Sequence, residues 1–80
     1  VYYLFYFGYF FMKIDTIGLR CPEPLMIVRQ KLRTINNDEI LEIVADDPST
    51  KRDFTLLCNF NNYKLTIEEK DNLFYYTIIK

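Results

Sequence analysis

No histidine occurs anywhere in the 80 residues. That absence excludes Cys–His dyads, Ser–His–Asp triads and every zinc site that needs an imidazole ligand. Cysteine is nearly as scarce. Cys21 and Cys58 are separated by thirty-six residues, so there is no CxxC pair, and one chain cannot supply a zinc site built from four cysteines. No metal and no organic cofactor is expected. A disulfide between the two cysteines is formally possible, but the chain shows no secretory pattern and a reducing, cytoplasmic setting is expected. An excess of positive charge is also missing: ten Lys and Arg stand against eleven Asp and Glu, a net charge of −1. A phosphate-neutralising surface needs a clear basic surplus, so no direct nucleic-acid partner is expected beyond what a local basic patch could hold. Glycine (2) and proline (3) are few. With half the residues apolar and 26% charged, the composition is that of an ordinary globular chain. Its length is that of one small domain, near the size at which a single core can only just stabilise a fold.

The one unusual stretch is Val1 to Phe11, where eight of eleven residues are Tyr or Phe and none is charged. It is too short to span a bilayer as a helix, which takes about 20 apolar residues. It lacks the basic region and small-residue cleavage site of a signal peptide, and it has no polar face to serve as an interfacial anchor. No membrane partner is expected. Met12 follows at once and the composition then turns ordinary. Met12 is therefore expected to be the physiological start, with residues 1–11 a read-through of an upstream stretch begun at a non-ATG codon. That leader is taken as non-native or disordered and left out of the predicted fold. The alternative is a hydrophobic extension that docks on a partner or a membrane surface.

From Lys13 to Ile17 polar and apolar residues alternate, which predicts a short strand ended by Gly18. Leu25, Val28 and Leu32 recur at helical spacing from Pro22 to about Arg33, with Ile35 just beyond. Arg29, Lys31 and Arg33 lie off that stripe, toward the end where the macrodipole favours cations. Asn36-Asn37-Asp38 is a turn. Glu39 to Ala45 is a nearly continuous β-rich apolar run and reads as a central strand. Asp46-Asp47-Pro48 places an acid at an N-cap and a proline at the first position of a second helix, running to about Cys58 with Phe54, Leu57 and Cys58 on its apolar side. Tyr63 to Glu69 and Leu73 to Ile79, split by Lys70-Asp71-Asn72, form a hairpin. The order βαβαββ predicts an α+β fold: a two-layer α/β sandwich with a mixed four-stranded sheet and two helices on one face.

The chemistry is concentrated at Gly18-Leu19-Arg20-Cys21-Pro22-Glu23-Pro24. Proline suits the first turn of a helix, because the N–H it lacks has no partner there. With Pro22 first in the helix, Cys21 is expected at the N-cap, where free N–H groups and the helix dipole favour an anion. Arg20 adds a cation, and Gly18 lets the chain turn sharply. Such surroundings lower a thiol pKa from about 8.5 to roughly 3.5–7.5, and the thiolate is the nucleophile. Glu23 either contacts partners or simply favours the helix start. Asp46, Asp47 and Arg52 are candidates for partner docking, with capping or a local ion pair as the plain explanation. Cys58 lies on the apolar side of its helix and is expected to be buried, although a resolving role remains open.

Asp15-Thr16-Ile17-Gly18-Leu19-Arg20-Cys21-Pro22-Glu23-Pro24 resembles the signature of the TusA/SirA family of small sulfur-carrier proteins, whose hallmark is Cys-Pro-x-Pro at the start of the first helix. Asp46-Asp47-Pro48 with Arg52-Asp53 resembles the family's second loop-to-helix segment, and the similarity runs from about Lys13 to Lys80. The resemblance implies a persulfide carrier, a sulfurtransferase. Cys21 would take sulfur from a cysteine desulfurase and pass it to a downstream thiol relay protein, toward 2-thiolation of the tRNA wobble uridine. Relatives feed other routes, including molybdenum-cofactor assembly. Two readings from other classes stand beside it: a non-catalytic, regulatory protein-interaction module, and an RNA-binding domain, which the near-neutral charge and the lack of an aromatic stacking motif disfavour.

Overall fold

The computed structural model describes residues 4–7 and 11–80, with side chains from Met12 onward. Its elements are β1 (Leu4–Phe7), β2 (Phe11–Asp15), α1 (Glu23–Thr34), β3 (Ile40–Ala45), α2 (Ser49–Asn61), β4 (Lys64–Lys70) and β5 (Leu73–Ile79). They form one sheet of order β1-β2-β3-β5-β4. β2 and β3 are parallel, as a strand–helix–strand crossover requires, while β5 is antiparallel to both β3 and β4. From β2 onward this is the predicted βαβαββ arrangement.

Two differences from the sequence reading concern the first strands. β2 takes in Phe11 and stops at Asp15, two residues before the predicted end. The leader, left out of the predicted fold, contributes β1, which pairs antiparallel with β2 from Leu4 opposite Ile14 to Phe7 opposite Phe11. A stretch that is aromatic at nearly every position carries no two-residue period, so composition alone gives no strand signal there. The rest of the leader lies outside the described residues.

The register explains the layering. Ile14, Ile43, Tyr76 and Ile67 stand in one cross-strand row and Met12, Leu41, Ile78 and Leu65 in another. These rows meet Val28 and Leu32 of α1 and Phe54 and Cys58 of α2 in a single buried cluster. Alternate positions, such as Lys13, Glu42, Thr77 and Thr66, fall on the other face. Within the cluster the Phe54 ring meets Tyr76 edge-on, with centroids 4.6 Å apart.

The connections obey local rules. Asp71 and Asn72 both take positive φ, 55° and 65°, the pattern of a two-residue type I′ hairpin turn. Helix α2 ends on Asn62 in the left-handed conformation, its N–H returning to Asn59 and Cys58 carbonyls. Among the described residues no helix is long and apolar enough to cross a membrane.

Cys58 is 1% exposed, and burial pushes its thiol up to about 11. This is the buried outcome expected from its place on the helix. Because the thiolate is the reactive form, iodoacetamide at about pH 8 is expected to leave Cys58 unlabelled in the folded chain and to label it after denaturation. Peptide mass mapping checks this, and rapid labelling of the native chain would contradict the burial.

Candidate functional site

Cys21 is exposed at the head of α1, in the loop between β2 and that helix. Gly18 makes the loop possible. Its φ is 91°, a region that disfavours any residue with a Cβ. Leu19 anchors the loop in the core at 7% exposure, and Pro24 is buried in the first turn of α1. The sequence placed Cys21 at the N-cap. In the structure Pro22 holds that position and the helix begins at Glu23, so the thiol stands one residue outside the helix. The Cys21–Pro22 peptide is cis.

The loop before α2 wraps this turn from the other side. Asp46 Oδ1 accepts the Gly18 N–H at 3.0 Å and pairs with Arg20 at 2.9 Å. Both contacts hold the Asp46 carboxyl below its usual range, the Gly18 hydrogen bond most strongly. Asp47, 7% exposed, accepts the Cys21 N–H at 2.7 Å through Oδ2, and it also accepts the Ser49 N–H and hydroxyl. Burial pushes its pKa up, but the hydrogen bonds from Cys21 and Ser49, with Arg20 nearby, outweigh burial and bring it down. The loop is tied to the core in turn. The Thr50 hydroxyl donates to the Asp47 carbonyl at 2.7 Å and stands 2.7 Å from the buried Tyr76 hydroxyl.

Two expectations are corrected at the sulfur. Arg20 does not face it. The guanidinium donates to the Leu19 carbonyl and pairs with Asp46, so the expected cation at the thiolate is engaged elsewhere. The side chain that does meet the sulfur is Asp53: Cys21 Sγ donates to its Oδ2 at 3.4 Å. The thiol pKa is consequently raised, not lowered. The Asp53 hydrogen bond is the main cause and partial desolvation comes next. A Ser49 hydroxyl contact works the other way, and the charges of Asp53 and Asp47 add to the rise. The helix start gives little help, because Pro22 and Pro24 have no N–H and the Glu23 N–H is taken by the Arg20 carbonyl. The N–H groups of Ser49 and Thr50, at the head of α2, bind Asp47.

The candidates therefore sort by geometry. Gly18, Arg20, Pro22, Glu23 and Pro24 build the turn and the helix start, and Asp46 and Asp47 hold it in place. Arg52 is exposed, with its Nε 3.7 Å from Asp53 Oδ1. Sequence reasoning assigned no role to Ser49 or Asp53. The available signal was their four-residue spacing, which puts both on one face of α2. Beyond Asp53 a groove of about 610 Å³ runs between the helices, lined by Leu25, Arg29, Leu56 and Phe60 among others. Phe60 is 88% exposed.

The family model described as Sulfurtransferase TusA matches residues 12–80, the whole chain apart from the aromatic leader. Among solved structures, a SirA-like protein from Desulfitobacterium hafniense superposes with a TM-score of 0.77 at 20% sequence identity, over 84% of this chain and 93% of that one. At that identity the likeness speaks to the fold.

Proposed function

The chain belongs to the TusA sulfurtransferase family, and from that premise we propose that it carries sulfur as a persulfide on Cys21. The observation that carries the reading is the placement of this thiol: exposed at the tip of a turn that Asp46 and Asp47 fix to the body of the protein. A thiol presented in this way can enter the active sites of two partners in succession.

The donor is a cysteine desulfurase bearing a cysteine persulfide. Cys21 Sγ, as thiolate, attacks the outer sulfur of that persulfide. A new S–S bond forms at Cys21, the donor S–S bond breaks, and the donor cysteine leaves as a thiolate that takes up the proton given up by Cys21. There is no net oxidation. The second transfer repeats the exchange, with Cys21 as leaving group and the thiol of a downstream relay protein as attacker. The terminal acceptor is the wobble uridine of tRNA, and the carrier works in the cytoplasm without contacting tRNA itself. Its net charge of −1 agrees with that division of labour.

The test is the 2-thiouridine content of tRNA from a bacterial host lacking its own family carrier. The wild-type chain is expected to restore it and Cys21→Ser is not. Restoration of molybdoenzyme activity in place of thiouridine would move the terminal acceptor to molybdenum-cofactor assembly. Equal restoration by Cys21→Ala would support the regulatory interaction module instead.

A further inference from the structure

We infer that Asp53 holds Cys21 as a thiol in the free carrier and releases it as a thiolate only when a partner displaces or neutralises that carboxylate. The inference deepens the sulfur-carrier reading and rests on it. Asp53 Oδ2 lies 3.4 Å from Sγ and accepts its proton in a hydrogen bond, which a thiolate could not donate. Its side chain is 12% exposed, and its other oxygen faces Arg52 Nε at 3.7 Å, so the carboxylate is held against the sulfur rather than free in solvent.

The charges that act on Sγ are negative: Asp53 from α2 and Asp47 from the loop before it. Among the described residues Arg20 pairs with Asp46, the exposed Arg52 stands 3.7 Å from the far oxygen of Asp53, and Arg29 and Arg33 of α1 line the groove that Asp53 borders, with no hydrogen bond or ion pair to the sulfur from any of the four. The Ser49 hydroxyl favours the thiolate, and it also donates to Asp47. A carrier that travels between partners gains from this arrangement, because the thiolate is the form that oxidants and stray electrophiles capture. Docking a cationic surface beside Asp53 removes the opposition at the moment of transfer.

The experiment is the pH dependence of iodoacetamide alkylation at Cys21, followed by peptide mass mapping, in the wild type, Asp53→Asn and Asp53→Glu. In Asp53→Asn the pH midpoint is expected to fall. A tenfold gain in thiolate then gives only about a threefold gain in rate at about pH 7, because a less basic thiolate is a weaker nucleophile. Asp53→Glu, which keeps the carboxylate, is expected to stay near the wild type. An Asp53→Asn midpoint that is unchanged or higher overturns the inference. A measurement on the wild type alone stands beside it: the Cys21 midpoint is expected to be higher in the folded chain than in urea, and a midpoint at or below the unfolded value also overturns the inference. Sulfur uptake from a cysteine desulfurase is measured on the same samples. Uptake with no change in alkylation removes the role of Asp53 and leaves the carrier reading standing, whereas a shifted midpoint with no uptake does the reverse.

Discussion

Cys21→Ser is expected to abolish sulfur transfer from a desulfurase to any acceptor thiol while leaving the thermal unfolding midpoint close to that of the wild type. The side chain is exposed, and its polar contacts, the long hydrogen bond to Asp53 and the Ser49 hydroxyl, are ones a hydroxyl can also make. An exposed substitution of this kind changes stability by about 0.5 kcal/mol or less. Chemistry is a different matter. Serine cannot form a persulfide, and Cys58, the other thiol, is sealed in the core with its pKa pushed to about 11. No second thiol can substitute, so the loss is complete and not merely large. Transfer can be followed with labelled cysteine as the sulfur source and separation of the carrier from its acceptor. Residual transfer by Cys21→Ser would place the carrier sulfur elsewhere, with Cys58 the first suspect and Cys58→Ser the variant to examine.

Asp47→Ala has the opposite profile, with a large cost in stability that also loosens the site. The carboxylate accepts from the Cys21 N–H, the Ser49 N–H and the Ser49 hydroxyl. Pro48, not Asp47, holds the N-cap of α2, so the hydrogen bonds to Ser49 count as ordinary ones, about 0.5–1.5 kcal/mol, and loss of a charge-assisted hydrogen bond to the Cys21 turn adds about 1.5–3 kcal/mol. Some non-additivity is expected among contacts to one group, so the total is about 2–4 kcal/mol. That is a substantial part of the roughly 5–15 kcal/mol available to a small domain. Urea unfolding measures it, and a change within about 0.5 kcal/mol would contradict the role of Asp47 as the clamp between the two loops.

The same carboxylate predicts an acid sensitivity. The folded-state pKa of Asp47 is depressed, so its contribution to stability is fully present above the unfolded value of about 3.9 and is lost as pH falls through the lower folded value. Asp46, also depressed, adds in the same direction. Stability is therefore expected to fall with acid below about pH 4, and to fall less steeply in Asp47→Asn. Equal acid slopes in the two proteins would contradict the linkage.

Local signals in the sequence carried much of the fold. The helical stripe Val28, Leu32 and Ile35, the apolar run of β3 and the Asp71-Asn72 turn each act within a few residues, so period and turn chemistry suffice to read them. Helix bounds shifted by a residue or more, most of all at the end of α2, which runs three residues past Cys58 to Asn61. The exposed thiol on a turn was legible for the same reason, since Gly18, Pro22 and Pro24 constrain it locally.

The electrostatics of the thiol were not legible. Arg20 sits next to Cys21 in sequence, yet it answers to Asp46, 26 residues on, and the sulfur answers to Asp53, 32 residues on. Those choices are made by the packing of the α2 start against the β2–α1 loop, and adjacency along the chain says nothing about them. The strand in the leader was hidden for a different reason, because uniform aromaticity erases the period that marks a strand.

Sulfur uptake by Cys21 is the central step of the proposed function. The most direct measurement is the intact mass of the wild-type chain after incubation with a cysteine desulfurase, its pyridoxal phosphate and cysteine, with peptide mapping and a reductant-treated control. A gain of about 32 Da, located on Cys21 and removed by reductant, is the predicted result for one added sulfane sulfur. An unchanged mass alongside a desulfurase shown to be active would contradict it, and would leave the Cys-Pro-Glu-Pro turn as a structural element.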